Sequence, residues 1–461
     1  MQGKSNVIKL SAHQYPTIDR LALRVGLLGF HGDDCRLIDE YSQLSSHWSV
    51  FRGAKILVHS HLTSMTLLLL DALLNMGAQI YFAVSPPLVV HDHAMGDYDA
   101  LSPLKRSGIP HHIGDLEHLP WTSVKWDLML DCGGMLYQHT QSGLLMLPKK
   151  GIVELSNTLY PASLNTSVMH LDRCEAKRLE VAEAGEGFVR AMAHTWVKEV
   201  LALGDGHHSH VTDDHVRELH FGDVFQGRFV VFGFGRLGKS VAYGLLRAGL
   251  QPHKLLIVDK HRGVIRQARQ LLPLSESVVL RSPEEAQDVL SGRLSDVFCA
   301  IACTGVKGAL ASLPLSLFES VTHFSNMGTH NEWHESIPNS RFLSGVRHPL
   351  NFILATPTSP AVSALLMYTV IRSAEYALNR QHGLPAGMLP LPPFLEQEIA
   401  DSWIMHRKRY GMPRQSHYLD QMDQAVNQLI RLLTQPGSQE VSKKPFSQAA
   451  LLRHFGFGLH S

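Results

Sequence analysis

The sequence predicts an α/β protein with two doubly wound parallel sheets and a helical C-terminal extension. Three observations lead to this fold class. The chain has 461 residues, which is too long for one ordinary core. Short apolar runs alternate with helical segments from Gly53 onward. At Gly227 a second series of such elements begins, with a glycine-rich turn between a strand and a helix.

The first domain is predicted over residues 1–200 and is completed by about residues 351–380. Lys55 to Val58 forms its first strand, and the helix after it spans HSHLTSMTLLLLDALLNMG and ends at Gly77. Later strands are expected at 78–84, 127–130 and 151–155, and a long helix at 172–203. Strands that alternate with helices in this way indicate a parallel sheet covered on both faces.

The second domain is predicted over residues 222–350, where Gly233, Gly235 and Gly238 follow a strand in GxGxxG spacing. Gly233 permits a tight turn, Gly235 lets backbone N–H groups approach a phosphate, and Gly238 allows close packing of helix and strand. The N-terminus of the helix then faces the phosphate with the positive end of its dipole. The turn predicts a dinucleotide site, although glycine turns also occur in ordinary βα units.

Asp259 ends the next apolar strand about 20 residues beyond the last glycine, where a Rossmann-like fold places the acid that binds a ribose hydroxyl. A carboxylate at this position favours NAD, because it would repel the additional phosphate of NADP. Lys260 and Arg262 weaken this preference without reversing it. The complete order of elements favours a bound dinucleotide over a purely structural turn: it runs strand, turn, helix, strand and acid. Residues 381–461 form the C-terminal extension.

Composition excludes several classes of protein. A formal net charge of +1 argues against a nucleic-acid-binding surface. The longest apolar stretch, Leu67 to Leu74, is interrupted by Asp71 and is too short to span a bilayer. Five cysteines without CxxC pairing, and no signal peptide, favour a cytoplasmic location. The 29 histidines can reflect metal binding, which then needs an argument from a particular site.

Several segments, taken in order, resemble S-adenosylhomocysteine hydrolase, a family in which a split substrate domain is wrapped around an NAD domain. The similar segments are His61-Leu62-Thr63, His91-Asp92-His93, Leu130-Asp131-Cys132-Gly133-Gly134, Gly233 to Lys239, Cys303-Thr304-Gly305, Asn326-Met327-Gly328 and Asn351 within NFILATPTSP. The match spans roughly residues 50–375, and GFGRLGKS and LDCGG are its most specific parts.

The resemblance implies NAD as cofactor, a nucleoside-like small-molecule substrate and a homo-oligomer. It also implies a set of cofactor-binding residues. These are Gly233, Gly235, Arg236, Leu237, Gly238, Asp259, Asn157, Thr158, Thr304, Gly305, Asn326, Gly328 and Asn351.

The catalytic set of the family is largely replaced in this chain. His61 keeps the substrate-site histidine, while Cys132 stands where the LDDGG turn has its catalytic Asp. The family's Lys and Asp on one helical face fall on His170 and Cys174, and its Glu falls on Leu155. Most of the acid–base groups that open a thioether are therefore absent on this register, whereas most of the dinucleotide-binding set is kept.

The replacements suggest a metal site. His61, Cys132, His170 and Cys174 occupy positions that converge on one cleft in the family, and the last two are spaced for one face of a helix. Two imidazoles and two thiolates form a tetrahedral zinc ligand set, and a zinc ion with one open position would act as a Lewis acid. The alternative is that these are ordinary small and polar residues in a pocket that has lost its catalysis.

Two further groups are weaker candidates. In the HxH pairs, His59, His91 and His93 are expected to be hydrogen-bonded or solvated rather than metal ligands. Glu154 is a candidate acid or base one position away from the family's Glu, but a shift of one residue along a strand reverses the direction of the side chain.

We therefore expect an NAD-binding protein with a remodelled active site. Its function would be that of an NAD-dependent, zinc-assisted oxidoreductase or lyase acting on a hydroxyl-bearing small molecule. Two alternatives stay open at this point: a catalytically inactive NAD-binding sensor or scaffold, and a hydrolase of S-adenosylhomocysteine with a rearranged catalytic set.

Overall fold

The computed structural model describes most of the chain in segments. These are residues 19, 22–23, 32–45, 49–92, 99–156, 158, 160–161, 163–202, 227–345, 347–354, 357–380 and 383–409. The predictions made for His93, Asn157 and the part of the C-terminal extension after residue 409 lie outside the described residues.

The described residues form two compact units. Unit 1 takes them from Met1–Cys174 and Ser363–Trp403, and unit 2 takes them from Glu175–Val362 and from residue 404 onward. The chain thus passes from unit 1 to unit 2 at residue 175, returns to unit 1 at residue 363, and passes to unit 2 again at residue 404.

Each unit has one parallel β-sheet. The strands are β1 (Lys55–His59), β2 (Gln79–Val84), β3 (His111–Ile113), β4 (Leu128–Asp131), β5 (Ile152–Glu154), β6 (Ser167–His170), β7 (Arg228–Phe232), β8 (Leu255–Asp259), β9 (Glu276–Val279), β10 (Val297–Ala302), β11 (His323–Asn326) and β12 (Gly387–Pro390).

The described helices connect these strands. They are α1 (Gly32–Ser45), α2 (Ser64–Asn75), α3 (Leu101–Ser107), α4 (Met135–Gln141), α5 (Glu175–Ala202), α6 (Arg236–Arg247), α7 (Arg262–Leu271), α8 (Ala286–Leu290), α9 (Pro360–Asn379) and α10 (Pro393–Arg409). Within the ranges that the structure describes, no helix is both long and apolar enough to cross a membrane.

Both sheets are doubly wound. Unit 1 has the strand order β12-β6-β5-β4-β1-β2-β3, and unit 2 has the order β11-β10-β7-β8-β9, with all neighbours parallel. In each case the chain winds outward on one side of the first strand and then returns to build the other side. The resulting switch points lie between β1 and β4 and between β7 and β10, where ligands of open α/β sheets bind. The predicted fold class is confirmed.

Helices α5 and α6 of unit 2 pack so closely that their backbones are in direct contact. A Cβ atom on Gly185 would lie 1.9 Å from the carbonyl oxygen of Ser240, and one on Gly244 would lie 2.5 Å from that of Gly185. The Ser240 hydroxyl accepts a hydrogen bond from the Gly185 N–H and donates to the Ala182 carbonyl, both at 2.8 Å. This packing fixes the direction in which α6 leaves the glycine-rich turn.

Two local expectations differ from the structure. The helix after β1 starts at Ser64 rather than directly after the strand, because Leu62 pairs with the 89–91 segment: its N–H donates to Val89 and its carbonyl accepts from His91. His170 is the last residue of β6, and Cys174 precedes the first residue of α5. The predicted helical spacing of His170 and Cys174 is therefore wrong, because the run from 167 to 170 pairs as a strand between β5 and β12.

Candidate functional site

The glycine-rich turn of unit 2 requires glycine at two of its three positions. Gly233 follows β7 with φ +89°, and a Cβ atom there would lie 2.8 Å from the carbonyl oxygen of Cys303. A Cβ atom on Gly238 would lie 1.9 Å from the carbonyl oxygen of Gly233. The turn and the first residues of α6 are thus pressed against the end of β10.

Gly235 differs from its two neighbours in the motif. It precedes α6 with φ −70° and ψ −161°, and a Cβ atom on it would meet no atom of the described residues within 4 Å. A side chain is therefore sterically acceptable here, yet it would project into open space at the N-terminus of the helix. The backbone N–H groups of a helix N-terminus and the helix dipole make such a space suited to a phosphate group.

Asp259 is held beside this turn. Its Oδ2 atom accepts a hydrogen bond from the N–H of Phe234, and its Oδ1 atom accepts one from the N–H of His261, both at 2.8 Å. Each carboxylate oxygen keeps further lone pairs that can accept a ligand hydroxyl. The residue predicted to bind a ribose is thus oriented by the turn that is predicted to bind the pyrophosphate.

The turn after β10, on the other side of the switch point, is organised by a residue that the sequence analysis did not single out. Glu332 is fully buried, and its carboxylate accepts hydrogen bonds from the Thr304 N–H and hydroxyl at 2.8 and 2.7 Å and from the Gly305 N–H at 2.9 Å. Burial raises the pKa of Glu332 above its usual range, while these hydrogen bonds lower it. A Cβ atom on Gly328 would meet this carboxylate at 2.3 Å.

The buried polar atoms near the end of β11 that have no hydrogen-bond partner among the described residues include Oδ1 of Asn326, Oδ1 of Asn351 and Nε2 of His348. Asn326 pairs with Pro349 in an isolated bridge, which brings β11 to the segment that carries the other two. The Asn326 amide nitrogen is used in full, since it donates to the carbonyls of Gly328 and His330 at 2.7 and 2.8 Å. Burial lowers the pKa of His348 and so favours its neutral form.

Unpartnered buried polar atoms are costly unless a ligand satisfies them. Two of the three belong to the asparagines that were predicted to contact the cofactor. Together with the open space at Gly235 and the fixed carboxylate of Asp259, they fit a dinucleotide that extends from the glycine-rich turn to the end of β11. The assignments of Arg236, Leu237, Thr304, Gly305 and Gly328 to the cofactor stay predictions.

In unit 1, titratable residues end four neighbouring strands. His59, Asp131, Glu154 and His170 are the last residues of β1, β4, β5 and β6, and each is the register partner of the next. Residues in register on a parallel sheet lie on the same face. Two carboxyl groups and two imidazoles thus form a row at the C-terminal ends of the strands. This row includes the switch point of the sheet.

Asp131 is connected by a hydrogen bond to the neighbouring member of this row, His59. Its Oδ1 atom lies 3.0 Å from Nδ1 of His59, and Nε2 of that histidine lies 2.9 Å from the Ser85 hydroxyl. The order of groups is that of a serine-histidine-aspartate triad. All three side chains are buried, however, so this network connects strand ends inside the unit, and His59 is hydrogen-bonded as expected.

Glu154 lies at the centre of a second network. Its carboxylate accepts from the N–H groups of Gly133, Gly134 and Ser156 at 3.2, 3.2 and 2.9 Å. It also accepts from the hydroxyls of Ser156 at 2.6 Å, Thr158 at 3.3 Å and Tyr160. Burial, together with the charge of Asp131, raises the pKa of Glu154 to about 7, although the hydrogen bonds from Ser156 and Tyr160 act in the opposite direction.

A cavity of about 470 Å³ lies beside Glu154. This volume is within the range of small-molecule sites. Its lining consists of uncharged residues: Gly134, Tyr137, Gln138, Gln141, Ser142, Thr158, Tyr160 and Pro161. The predicted cofactor residue Thr158 thus lies in the wall of this cavity.

The predicted zinc ligands do not form a metal site. Across the described ranges, no group of three or more His, Cys, Asp or Glu side chains is placed to hold a metal ion. Nδ1 of His61 accepts from the Val89 N–H at 2.9 Å, and Nδ1 of His170 accepts from the Asp172 N–H at 3.2 Å. Cys132 and Cys174 are buried thiols. The zinc interpretation took part of its support from a helix shared by His170 and Cys174, and that part is wrong, because His170 ends a strand.

Fold and site together define a protein of two Rossmann-like α/β units, one of which carries a dinucleotide-type glycine turn. No family model and no curated protein sequence matches the chain. Among solved structures, the chain is similar to a dipicolinate synthase structure from Bacillus halodurans, with a TM-score of 0.34 and 12% identity over 70% of this chain and 98% of that one. A dipicolinate synthase structure from Bacillus subtilis gives a TM-score of 0.31 and 11% identity over 71% and 97%. Membership of the S-adenosylhomocysteine hydrolase family stays a prediction.

Proposed function

We propose that unit 2 binds NAD and that the protein is an NAD-dependent oxidoreductase acting on a hydroxyl-bearing small molecule. The observation that carries this proposal is the open space at Gly235, beside a carboxylate that the turn itself orients. A bound NAD would supply the hydride acceptor: the substrate carbon that bears the hydroxyl group would lose a hydride, the hydroxyl proton would pass to solvent, and a carbonyl compound and NADH would result. The residues of unit 2 would bind the cofactor, orient it and determine which dinucleotide enters.

Asp259 supports the choice of NAD over NADP. Because both of its oxygens are tied to backbone N–H groups, the carboxylate cannot swing away to admit a phosphate. Its negative charge would repel the 2′-phosphate of NADP and accept a hydrogen bond from the ribose hydroxyl of NAD. The unpartnered oxygens of Asn326 and Asn351 would accept hydrogen bonds from an amide such as the nicotinamide carboxamide.

Gly235 offers a sharp test of the cofactor site. Gly235→Val should leave the fold unchanged, because the backbone is in an ordinary extended region and no described atom lies within 4 Å of the new Cβ atom. The side chain would nevertheless fill the phosphate space, and we expect NAD affinity to fall roughly tenfold or more, measured by calorimetry. Gly263→Ala in α7 is the matched control, since a Cβ atom there also meets no contact among the described residues. Equal affinity in the two variants and the unchanged protein would exclude the site.

Chemistry is tested separately from binding. The NAD-loaded protein is incubated with a panel of small hydroxy compounds, and the absorbance of reduced nicotinamide is followed. Reduction that Gly235→Val abolishes supports an oxidoreductase. NAD binding without reduction by any compound would refute the catalytic part of the proposal and support a protein that senses the dinucleotide.

A further inference from the structure

Beside the cavity of unit 1 lies a network of hydrogen-bonded side chains that has no role in the proposed function. Tyr160 and Thr158 line the cavity, and both hydroxyls also reach the buried carboxylate of Glu154. This carboxylate is fully enclosed, so it can influence a ligand in the cavity only through the two hydroxyls.

The positions of the protons follow from the network. Tyr160 donates its single hydroxyl proton to Oε2 of Glu154. Ser156 donates its own proton to Oε1 of Glu154 at 2.6 Å, so in its 3.0 Å contact with Thr158 it can only accept. Whether Thr158 donates to Ser156 or to Glu154, its proton faces the network and away from the cavity.

Neither hydroxyl therefore has a proton left to donate, and each oxygen keeps a lone pair that can accept a hydrogen bond from a ligand that reaches it. A hydroxyl that has donated its proton to a carboxylate is also a better acceptor, because the chain of hydrogen bonds polarises it. Two such acceptors, two residues apart in the sequence, suit a ligand with neighbouring hydroxyl donors. The side-chain amides of Gln138 and Gln141 line the same cavity and can serve the remaining oxygens of a polyol.

The charges of the residues that line the cavity indicate the net charge of the ligand that it would bind. All eight lining residues that the structure describes are uncharged, so none of them can pair as a cation with a phosphate or carboxylate. When Glu154 is ionised, its negative charge is already covered by hydrogen bonds from three backbone N–H groups and three hydroxyls. An ammonium group would therefore gain little from it, while losing its own hydration.

The aromatic part of the wall suits a ring. Tyr137 and Tyr160 contact each other edge to face, with centroids 5.2 Å apart and an interplanar angle of 67°. This contact and the bond to Glu154 hold the Tyr160 ring at both ends, so the acceptor is preorganised. Pro161 adds a second apolar surface beside it.

We infer that this cavity is a binding site for an uncharged, cyclic polyhydroxylated molecule, with Tyr160 and Thr158 as the residues that recognise its hydroxyl groups. The inference does not depend on dinucleotide binding by unit 2, and it is tested without NAD.

The experiment uses the full chain and four probes. Methyl α-D-glucopyranoside and myo-inositol are uncharged, glucose 6-phosphate is anionic and glucosamine is cationic. Saturation-transfer NMR reports contact, and titration gives the affinity. We expect at least one uncharged probe to bind and both charged probes to bind at least tenfold more weakly. Failure of both uncharged probes, or tighter binding of a charged one, would overturn the inference.

Substitutions of the lining residues test whether the probe binds in this cavity. Tyr160→Phe and Thr158→Val keep the shape of the wall and remove one acceptor each, and each should weaken the uncharged probe roughly fivefold to fiftyfold. Tyr81→Phe is the control, because it makes the same substitution in unit 1 on a ring that packs against Trp121 and Trp126. If Tyr160→Phe lowers thermal stability, the effect on binding is judged from Thr158→Val instead. The Thr158 hydroxyl belongs to the same hydrogen-bond network, because it contacts Ser156. Binding unchanged in both cavity variants would show that the probe lies elsewhere.

Discussion

His59 and Asp131, the last residues of two neighbouring strands, are joined by a buried hydrogen bond of 3.0 Å. The second oxygen of the same carboxylate accepts from the N–H groups of Leu136 and Tyr137 at 2.9 and 3.2 Å. One side chain thus connects β1, β4 and the first turn of α4 at the switch point of the sheet.

This connection predicts a large effect of Asp131→Asn on stability. An amide loses the negative charge, and its NH₂ group faces either the N–H groups of Leu136 and Tyr137, which are also donors, or Nδ1 of His59, which then has to change its tautomer. We expect the free energy of unfolding to fall by about 2–4 kcal/mol in urea denaturation. Asp115→Asn on the exposed surface should change it by less than about 0.5 kcal/mol. Similar values for the two variants would refute the role of Asp131.

The raised pKa of Glu154 predicts a dependence of stability on pH. Because the pKa of this acid is higher in the folded state than its ordinary value of 4.5, its protonated form stabilises the fold. That contribution is fully present below pH 4.5 and is lost as the pH rises toward 7. Relative to Glu154→Gln, the unchanged protein should lose up to roughly 3 kcal/mol across this window, measured by denaturation at several pH values.

Asp131 and Tyr160 face the same carboxyl group and have to be considered in that measurement. Tyr160→Phe provides the control, because it removes a hydrogen bond to Glu154 while leaving the carboxyl group and Asp131 in place. We expect the pH-dependent loss to persist in Tyr160→Phe. A loss that is the same in Glu154→Gln and in the unchanged protein would assign the titration to another group.

Gly238→Ala should be far more damaging to the fold than the substitution at Gly235. The new Cβ atom would lie 1.9 Å from the carbonyl oxygen of Gly233, which is backbone and cannot rotate away. We expect a loss of about 2–4 kcal/mol in the free energy of unfolding. Thermal denaturation without NAD separates the two positions, because Gly235→Ala should melt like the unchanged protein. An unaffected Gly238→Ala would contradict the close approach of helix and turn.

Glu332→Gln should loosen the turn after β10. The carboxylate accepts three hydrogen bonds from Thr304 and Gly305, and an amide in its place can accept at only one of its two atoms. We expect about 1–3 kcal/mol of lost stability and weaker NAD binding. Glu335→Gln is the nearby control, since its side chain is 84% exposed. Unchanged NAD affinity in Glu332→Gln would separate this turn from the cofactor site.

The parts that could be predicted from the sequence are those set by local geometry. Gly233, Gly238 and Asp259 belong to one strand–turn–helix–strand segment, so their spacing alone places them. Glu332 and Thr304 are 28 positions apart and meet only because β10 and β11 are neighbours. No periodicity in the sequence indicates such a contact.

His170 illustrates the opposite error. The short apolar run before it is compatible with a helix or a strand, and periodicity cannot decide between them. The four-residue spacing of His170 and Cys174 predicts one helical face, whereas in the protein β5 and β12 pair on either side of the run that ends at His170. Glu154 is a candidate from the sequence, but the hydroxyls of Ser156, Thr158 and Tyr160 around it could not be predicted, because these described residues lie outside helices and strands and follow no periodicity.

The pairing of β12 with β6 has a consequence for how the protein is made. Gly387 to Pro390 pair with Ser167 to His170, so the first sheet needs a strand that is synthesised after residues 175–362 of unit 2. On the ribosome, the nascent N-terminal sheet must wait with β6 as an open edge while more than 180 further residues emerge. Unit 2, whose five strands are contiguous in the sequence, can complete its sheet first, which makes the later half of this polypeptide the earlier to mature.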